Sequence, residues 1–391
     1  RLAFWPTVMA KLMGTARQLN RMTADRRLAA LRDLPGVRPY LRTGKGGQVW
    51  PKWASLPRLY PATHHQKLAV IDRELLYIGG LDLDERRYDT RDHDRPGNQT
   101  WHDVQLMVRG PLAGEAQTHL ESFGDVTAGR SEPVPQPRFL RTMSRPRRSG
   151  VFAIGPDTVV QDIAIAHEML ARRATRLIYL ENQYFRDRKM ARFLAGMGRD
   201  NAELRLILIL PAAPDDVAFD GSDGLDARYG EYLQLRALRI LRKGFGERMF
   251  VGGAAQRRRA DRETDHDRDR LKGAQIIYLH AKVSIFDTTG AIVSSANLNG
   301  RSLRWDTEAG LLLDRASDVE MLRRRVMGHW LPESAGPEYL NPDTALENWR
   351  DLANANAGMS PELRRGFLLP YDFKAPTGIA TPVPGVPEEM V

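Results

Sequence analysis

One pattern of residues occurs twice in this chain, and the two copies lie 215 positions apart. The shared positions are His65, Lys67, Asp72, Gly79, Gly80 and Asp82 in the first copy and His280, Lys282, Asp287, Ser294, Ser295 and Asn297 in the second. A single His-x-Lys triplet arises easily by chance. Identical spacing at all of these positions instead indicates an internal duplication, so we expect two related halves.

Each His-Lys pair begins an apolar run that predicts a buried β-strand. The runs are Lys-Leu-Ala-Val-Ile at 67–71 and Lys-Val-Ser-Ile-Phe at 282–286. Residues i and i+2 of a strand point to the same face, so the imidazole and the ammonium project together. Asp72 and Asp287 fall at the strand ends and off that face, and we expect turn contacts from them rather than chemistry.

Strands and helices alternate along the chain, which predicts layered α/β architecture. We expect two similar α-β-α sandwich halves with mixed β-sheets, related by a pseudo-twofold axis, with the active site at their interface. Further predicted elements are amphipathic helices within 5–33, a loop at 35–60 that carries Trp50 and Trp53, helices at 156–173, 228–242 and 344–357, and strands at 176–180 and 204–210.

The spacing of the repeats sets the predicted domain boundaries. We expect a first half at 1–135, a surface linker at 136–150, a second half at 151–335, and a C-terminal helix with a Pro-rich tail at 336–391. Only 65 residues lead up to and include His65, whereas 130 run from Val151 to His280. We therefore expect the first half to lack its leading strand and helix. The chain begins with Arg1, so we expect an incomplete N-terminus, and any targeting segment would lie upstream.

Composition limits the partners and cofactors. The net charge of +9 over 391 residues suits an anionic partner, either a phospholipid surface or nucleic acid. With no cysteine, the chain has no disulfides and no thiolate metal site. No His/Asp/Glu group has metal-ligand spacing, so we expect no metal and no other cofactor. Apolar runs of 18 residues are missing from the sequence, which argues against a spanning helix. The compartment stays open.

The duplicated residues suit cleavage of a phosphodiester. This reaction needs a nucleophile, an acid for the leaving alkoxide and positive charge around the phosphoryl oxygens. Two copies facing each other supply two imidazoles, and an imidazole with a pKa near ~6.5 can attack when neutral and donate when protonated. We expect the phosphate to be bound by Lys67, Lys282, Ser295 and Asn297. An ionised Asp82 would repel a phosphate, so we expect it to turn away or to bond locally.

The two motifs resemble the signature of the phospholipase D superfamily, H-x-K-x4-D followed by small residues and Asn or Asp. The likeness covers roughly residues 60 to 110 and 155 to 315. It favours the phospholipid-hydrolysing branch through the following stretches: Thr63 to Leu83, Arg87-Tyr88-Asp89-Thr90, Trp101-His102-Asp103, Tyr179 to Phe185, Asn297 to Ser302 and Asp306-Thr307-Glu308.

This resemblance implies roles for individual residues. His65 would form the phosphohistidine intermediate and His280 would protonate the leaving group, although the sequence leaves an exchange of these roles open. Each imidazole needs a carboxylate on its Nδ1, and the strand-opening acids are Asp103 and Glu308. By similarity, we assign Asp103 to His65 and Glu308 to His280.

Other polar residues have weaker signals. Glu181, Asn182, Gln183 and Tyr184 follow a predicted strand, where they either line the pocket or cap the strand. The remaining histidines have no partner in the other repeat, and we expect structural roles for them: His64, His93, His102, His119, His167, His266 and His329.

The expected function is a phospholipase D, which hydrolyses glycerophospholipids to phosphatidate and a head-group alcohol and can transfer the phosphatidyl group to other alcohols. We expect a monomer that acts peripherally on a phospholipid surface. The alternatives are a phosphatidyl transferase of the cardiolipin-synthase kind, a nuclease of the same superfamily, and a non-catalytic basic module that binds anionic lipid or nucleic acid.

Overall fold

The computed structural model describes residues 5–32, 34, 37–52, 62–147, 155–260, 267–384 and 386–390. Its α-helices are α1 Trp5–Asn20, α2 Ala24–Arg32, α3 Pro111–Thr127, α4 Asp162–Arg173, α5 Arg188–Asp200, α6 Asp215–Phe219, α7 Leu225–Phe245, α8 Gly300–Arg304, α9 Ala316–His329 and α10 Ala345–Ala357. Its strands are β1 Leu41–Thr43, β2 Val49–Pro51, β3 Leu68–Ile71, β4 Leu75–Gly79, β5 Gln105–Arg109, β6 Phe139–Arg145, β7 Asp157–Gln161, β8 Leu177–Asn182, β9 Arg205–Ile209, β10 Met249–Arg259, β11 Arg270–Leu271, β12 Ala274–Ile276, β13 Lys282–Phe286, β14 Gly290–Ser294, β15 Glu308–Leu313 and β16 Leu368–Pro370.

Short 3-10 helices join these elements. They lie at Arg38–Tyr40, Lys45–Gly47, Glu85–Arg87, Gly97–Gln99, Gly246–Arg248, Asp267–Asp269, Pro337–Tyr339, Pro361–Leu363, Ala375–Gly378 and Glu388–Met390. Within the described ranges, no helix is both long enough and apolar enough to cross a bilayer.

A large mixed sheet forms the centre of the molecule. Its strand order is β11-β12-β10-β9-β8-β13-β14-β15-β6-β7, and β16 pairs with β10. Strands β8, β9 and β10 run parallel, and the other pairings are antiparallel. A mixed α/β fold with a large mixed sheet is therefore confirmed.

Both faces of the large sheet are buried, because neighbouring side chains of a strand point to opposite faces. In β8, Ile178 packs against α4, α5 and α7, while Tyr179 packs on the other face with Trp349 of α10. Both side chains are fully buried. Fully burying an apolar side chain of this size contributes about 1.5–3 kcal/mol.

A second, smaller sheet carries the first motif. Its strand order is β3-β4-β5, and it stacks with α3 against β6 and β15 of the large sheet. In β13 every residue is buried, but in β3 burial alternates and Ile71 is half exposed. The prediction of a buried strand at 67–71 is thus wrong for one face of β3, where Ala69 and Ile71 are exposed. The reason is that β13 is flanked by β8 and β14, whereas among the described residues β3 pairs with β4 alone.

The N-terminal residues form a small helical unit. Helices α1 and α2, as predicted within 5–33, pack on the β1-β2 hairpin. The buried Arg27 side chain donates hydrogen bonds to the carbonyl oxygens of Leu19 (3.0 Å), Gly47 (2.7 Å) and Met22 (2.8 Å). The hairpin lies within the predicted loop at 35–60. Its Trp50 is half exposed, and Trp53 lies outside the described residues.

Two boundary predictions are wrong. The predicted surface linker at 136–150 contains β6, which is almost wholly buried and pairs with β15 and β7. The predicted helix at 156–173 begins instead with strand β7, and α4 starts at Asp162. In both cases a polar or Pro-rich sequence pairs at the side of the large sheet, where hydrogen bonds of the ladder outweigh local propensity.

The two signature aspartates provide a matched test of fold stability. The Asp287 carboxylate accepts hydrogen bonds from the backbone N–H groups of Thr175 (2.7 Å), Arg176 (3.0 Å) and Leu177 (2.7 Å) at the start of β8. Asp72 is exposed, and it shares the left-handed backbone of Asp287, with φ of 53° against 50°. Asp287 thus holds the start of β8 through its carboxylate.

We expect Asp287→Ala to lower the free energy of unfolding by about 1–2 kcal/mol, because three backbone donors lose a charged acceptor. Asp72→Ala places alanine in the same left-handed backbone but removes no such acceptor. Beyond this shared strain, we expect it to lower the free energy of unfolding by less than about 0.5 kcal/mol. Urea unfolding of both variants measures the difference. Equal destabilisation would contradict this role of Asp287.

Candidate active site

Backbone hydrogen bonds cross between the two repeats directly beside the motif histidines. The N–H of His65 donates to the carbonyl of Thr307 (2.9 Å), and the N–H of His280 donates to the carbonyl of His102 (2.8 Å). In return, Thr307 donates to Thr63 (2.8 Å). His102 likewise donates to Tyr278 (2.8 Å). Each histidine is thus tied to the segment that precedes the acid of the other repeat.

The crossed backbone determines which carboxylate meets which imidazole. His65 Nδ1 lies 3.1 Å from both carboxylate oxygens of Glu308, and His280 Nδ1 lies 2.7 Å from Asp103 Oδ2. The predicted pairing of Asp103 with His65 and of Glu308 with His280 is therefore wrong. It treated each half as self-contained, whereas the segments that carry the acids run beside the opposite histidine.

The carboxylates hold each imidazole in one tautomer. When Nδ1–H donates to the acid, Nε2 keeps its lone pair and faces away from the acid. Burial alone would raise the pKa of Asp103, but the hydrogen bond from His280 and the charges of His280 and Lys282 together hold it below its usual value. Both acids are therefore placed to stabilise an imidazolium.

Ser295 supports Glu308 rather than facing a ligand. Its hydroxyl donates to Glu308 Oε2 (2.5 Å), its Oγ accepts from the N–H of Ala309 (3.1 Å), and the residue is fully buried. The expectation that Ser295 donates to a phosphate is wrong in this arrangement, because its single proton is already donated.

The glycine pair of the first repeat leaves room for Asp103. A Cβ added at Gly80 would lie 2.3 Å from Asp103 Oδ1, and one at Gly79 would lie 2.3 Å from the carbonyl oxygen of Val104. Both contacts are closer than atoms can approach. Gly80 is equivalent to Ser295 of the second repeat. Asp103 thus occupies the space beside Gly80 that the Ser295 side chain fills in the second repeat.

The two motif lysines have different surroundings. Lys67 Nζ donates to the carbonyl of its own His65 (2.9 Å) and pairs with Asp82 (3.2 Å). Lys282 Nζ donates to the carbonyl of His280 and to Gln183 Oε1 (3.2 Å). Burial lowers the pKa of Lys282 to about 7, and the charge of Lys67 adds to this effect. The two ammonium groups therefore act on one another across the site.

Asp82 and Asn297, which are equivalent in the repeats, differ in charge and in contacts. Asp82 bonds locally, to Lys67 and more distantly to Arg87 (3.6 Å). Burial would raise the pKa of Asp82, but the neighbouring charge and hydrogen bond of Lys67 lower it. Asn297 Nδ2 donates to Gln183 Oε1 (3.3 Å). The charge of Lys67 is thus neutralised by Asp82 of its own repeat, whereas Asn297 brings no charge to Lys282.

His280 is the more enclosed of the two histidines. Burial lowers its pKa to about 4, with Lys282 contributing in the same direction and Asp103 opposing. The Trp101 ring lies 4.9 Å from the His280 ring, and the Arg87 guanidinium stacks 3.7 Å from the Trp101 centroid. Sequence reasoning assigned no role to Arg87 or Trp101. The stretches that carry the family resemblance contain both, so they could have been nominated there.

The four predicted pocket residues differ in their contacts. The Tyr184 ring packs against the Arg186 guanidinium, 3.9 Å from its centroid. Gln183 joins the site, since it accepts from Lys282 and Asn297 and donates to Tyr278 Oη (2.8 Å). Asn182 Oδ1 accepts from the backbone N–H of Tyr184 (3.2 Å) and of Leu298 (3.2 Å), so its role is structural.

Glu181 lies fully buried behind the site. It accepts from Tyr179 Oη (2.6 Å) and Trp330 Nε1 (2.9 Å). Its other oxygen approaches His102 Nε2 to 2.8 Å. Glu181 and Asn182 therefore do not line a substrate pocket.

Three histidines without repeat partners lie together beside the site. Ligand atoms of His93, His102 and His329 all lie within 4.8 Å of one another. Spacing along the sequence did not predict this cluster. His93 and His102 are only nine positions apart, but His329 lies 236 positions after His93, so spacing alone does not bring the three together.

Comparison with known proteins supplies the family. No protein-family model matches the chain. Phospholipase D1 of Schizosaccharomyces pombe is 24% identical over 386 aligned positions, and the match covers 74% of this chain and 28% of that protein. Phospholipase D alpha 1 of Oryza sativa subsp. japonica is 24% identical over 360 aligned positions, and the match covers 62% of this chain and 44% of that protein. Two observations together decide the family of the chain: the duplicated motif and the sequence similarity to these enzymes.

The chain belongs to the phospholipase D superfamily. A phosphatidylserine synthase of Haemophilus influenzae superposes on this superfamily member with a TM-score of 0.44 at 13% identity, covering 75% of this chain and 69% of that chain. The chain spans less than half the length of the two curated relatives named above.

The crossed pairing in this phospholipase D superfamily protein is testable by titration. We expect the His280 ring to titrate near pH 4, and Asp103→Asn to lower that midpoint because the Asp103 charge raises it. Glu308→Gln is the matched control, since Glu308 contacts His65 instead. NMR of the ring protons gives the midpoints. A shift of the His280 midpoint in Glu308→Gln and none in Asp103→Asn would contradict the crossed pairing.

Proposed function

We propose that this chain is a phospholipase D-type phosphodiesterase that hydrolyses glycerophospholipids to phosphatidate and a head-group alcohol. The observation that carries the proposal is the pair of crossed contacts, His65 with Glu308 and His280 with Asp103, flanked by Lys67 and Lys282. Two oriented imidazoles with ammonium groups beside them are the parts that phosphoryl transfer through a covalent histidine requires.

We infer further that the halves are related by a pseudo-twofold axis. In support, Leu68 pairs with Ile78 as Val283 pairs with Val293, and both residues of the first pair lie 215 positions before those of the second. The crossed backbone bonds are reciprocal in the same way. The first half then ends before β6, which joins the sheet of the second half.

In the first step, Nε2 of His65 attacks the phosphorus and the bond to the head-group oxygen breaks. His280 gives its proton to the departing alkoxide. Its pKa of about 4 in the free protein reflects burial and the nearby lysines. A bound phosphodiester anion offsets the lysine charges and raises that pKa, so His280 takes up a proton from the solvent when the substrate binds.

In the second step, His280 removes a proton from water, which attacks the phosphorus while the bond to His65 Nε2 breaks. The net reaction consumes one water and yields phosphatidate and the alcohol. An alcohol in place of water gives transphosphatidylation by the same step. Lys67, Lys282 and Asn297 bind the phosphoryl oxygens in this proposal.

Exposed apolar residues beside the site support a phospholipid surface as the partner. Leu83 directly follows Asp82 and is 83% exposed, and Tyr88 directly follows Arg87 and is 59% exposed. Both residues are thus available to contact a bilayer interface, where amphipathic aromatic rings are favoured.

A vesicle assay tests the function. We expect the wild type to release head-group alcohol from vesicles presented as a panel of phosphatidylcholine, phosphatidylethanolamine and phosphatidylglycerol, and to form phosphatidylethanol when ethanol is added. His65→Ala and His280→Ala should each lose at least ~100-fold in rate. His167→Ala is the matched control, because His167 is a buried histidine that bonds to Ser284 and to the carbonyl of Ile163. No release from any head group and no phosphatidylethanol would end the proposal, and cardiolipin or cleaved plasmid as the product would redirect it.

The roles of the two histidines are separable by leaving group. Loss of the general acid in His280→Asn should slow release of choline by about 10²–10⁴-fold but slow release of p-nitrophenolate far less, because that leaving group needs no proton. The same variant should accumulate a covalent adduct on His65, detectable by mass spectrometry of peptides. An adduct on His280 in His65→Asn would show that the roles are exchanged.

A further inference from the structure

The cluster of His93, His102 and His329 lies behind the proposed catalytic residues and takes no part in the chemistry derived above. His93 Nε2 and His329 Nε2 are 2.8 Å apart, and the rings of His102 and His329 stack at 4.4 Å between centroids. His93 and His102 are buried, and His329 is partly so. Three imidazoles thus converge on one point from a loop and from α9.

Carboxylates support two of these three rings. Asp89 Oδ2 lies 2.7 Å from His93 Nδ1, and Glu181 Oε1 lies 2.8 Å from His102 Nε2. A carboxylate on one ring nitrogen fixes the orientation of an imidazole and raises the basicity of the other nitrogen, as behind metal-bound histidines. The two acids also balance the charge of a dication.

The contact between Glu181 Oε1 and His102 Nε2 is close but poorly aligned. Although the two atoms approach to 2.8 Å, neither Glu181 Oε1 nor His102 Nε2 has hydrogen-bond geometry with any partner among the described residues. Glu181 is fully buried, so its oxygen cannot turn to solvent. A buried carboxylate oxygen without a well-aligned donor is costly, and a cation at the cluster would stabilise the negative charge of Glu181.

A path to the cluster exists. A cavity of about 250 Å³ is lined by His102, Asp103 and His329 together with residues of α9. His329 is also the last residue of α9, where the negative end of the helix dipole favours a cation.

From these contacts we infer that His93, His102 and His329 bind one divalent transition-metal ion of the zinc class. Imidazole nitrogen is a preferred ligand of such ions, and three histidines leave one position of a tetrahedral site for water. Tetrahedral zinc with bonds of about 2.0–2.1 Å places its nitrogen ligands about 3.3 Å apart. His93 Nε2 and His329 Nε2 therefore separate slightly from their 2.8 Å distance when the ion binds.

The ion would act on the proposed active site through the backbone. His102 directly precedes Asp103, and its carbonyl accepts the N–H of His280 (2.8 Å). Metal binding ties His102 to α9 and so stiffens the segment that positions Asp103 against His280. This is a positioning role, since the cluster does not touch the reacting atoms.

The test uses the whole chain after treatment with a chelator. We expect the wild type to bind one Zn²⁺ per chain, and Co²⁺ alone to give the intense visible absorption of a four-coordinate site. Zn²⁺ should also raise the Tm. His329→Gln and His93→Gln should weaken Zn²⁺ binding more than 100-fold, and Asp89→Asn should weaken it about 10–100-fold.

His119→Gln is the matched control, because His119 is as buried as His93 but bonds to Gln66 outside the cluster. We expect it to bind Zn²⁺ as the wild type does. Absence of stoichiometric binding to the wild type would overturn the inference even if the variants unfold. So would equal loss of affinity in His119→Gln and His329→Gln. These readouts need no phospholipid, so their failure is distinct from failure of the proposed function.

Discussion

The exchange of backbone hydrogen bonds between the two repeats is the constraint on which the site depends. It ties the segment before each motif histidine to the segment before the acid of the other repeat, as in the bond from His65 to Thr307. Side-chain geometry follows from that crossing. Neither repeat alone holds an imidazole together with its acceptor, so the chemistry requires both repeats to fold and dock. A buried interface of this kind also explains why acids as deep as Glu308 are tolerated, because each is paired and hydrogen-bonded.

Much of the site was predictable from residue spacing. The duplicated offsets identified His65, Lys67, His280 and Lys282, and the alternation of side chains along a strand explained why His and Lys act together. The structure brings these residues into mutual electrostatic contact, since the charge of Lys67 acts on both His280 and Lys282. Local patterns were sufficient for these four residues because each His-Lys pair lies within three consecutive residues and occurs twice.

The features that the sequence did not predict depend on contacts between segments that are distant in the chain. The acids were assigned to the wrong histidines because sequence order does not reveal which strands cross. Strand β6 was mistaken for part of a linker, since proline and arginine around it suggest a turn while its pairing with β15 is far away in sequence. The histidine cluster joins residues that are 236 positions apart in the case of His93 and His329. No periodicity in a single chain encodes such proximity.

The ion pair between Asp82 and Lys67 has a consequence for ligand recognition. In the second repeat the neutral Asn297 stands at the equivalent position, so Lys282 has no anion of its own there. A phosphate that approaches Lys67 must compete with an acid already in place. The affinity of Lys67 for a phosphate is therefore the difference between two contacts, the one that Lys67 makes with the phosphate and the one that it gives up with Asp82. Asp82 thus acts as an internal competitor, and an anion that binds Lys67 weakly does not displace it.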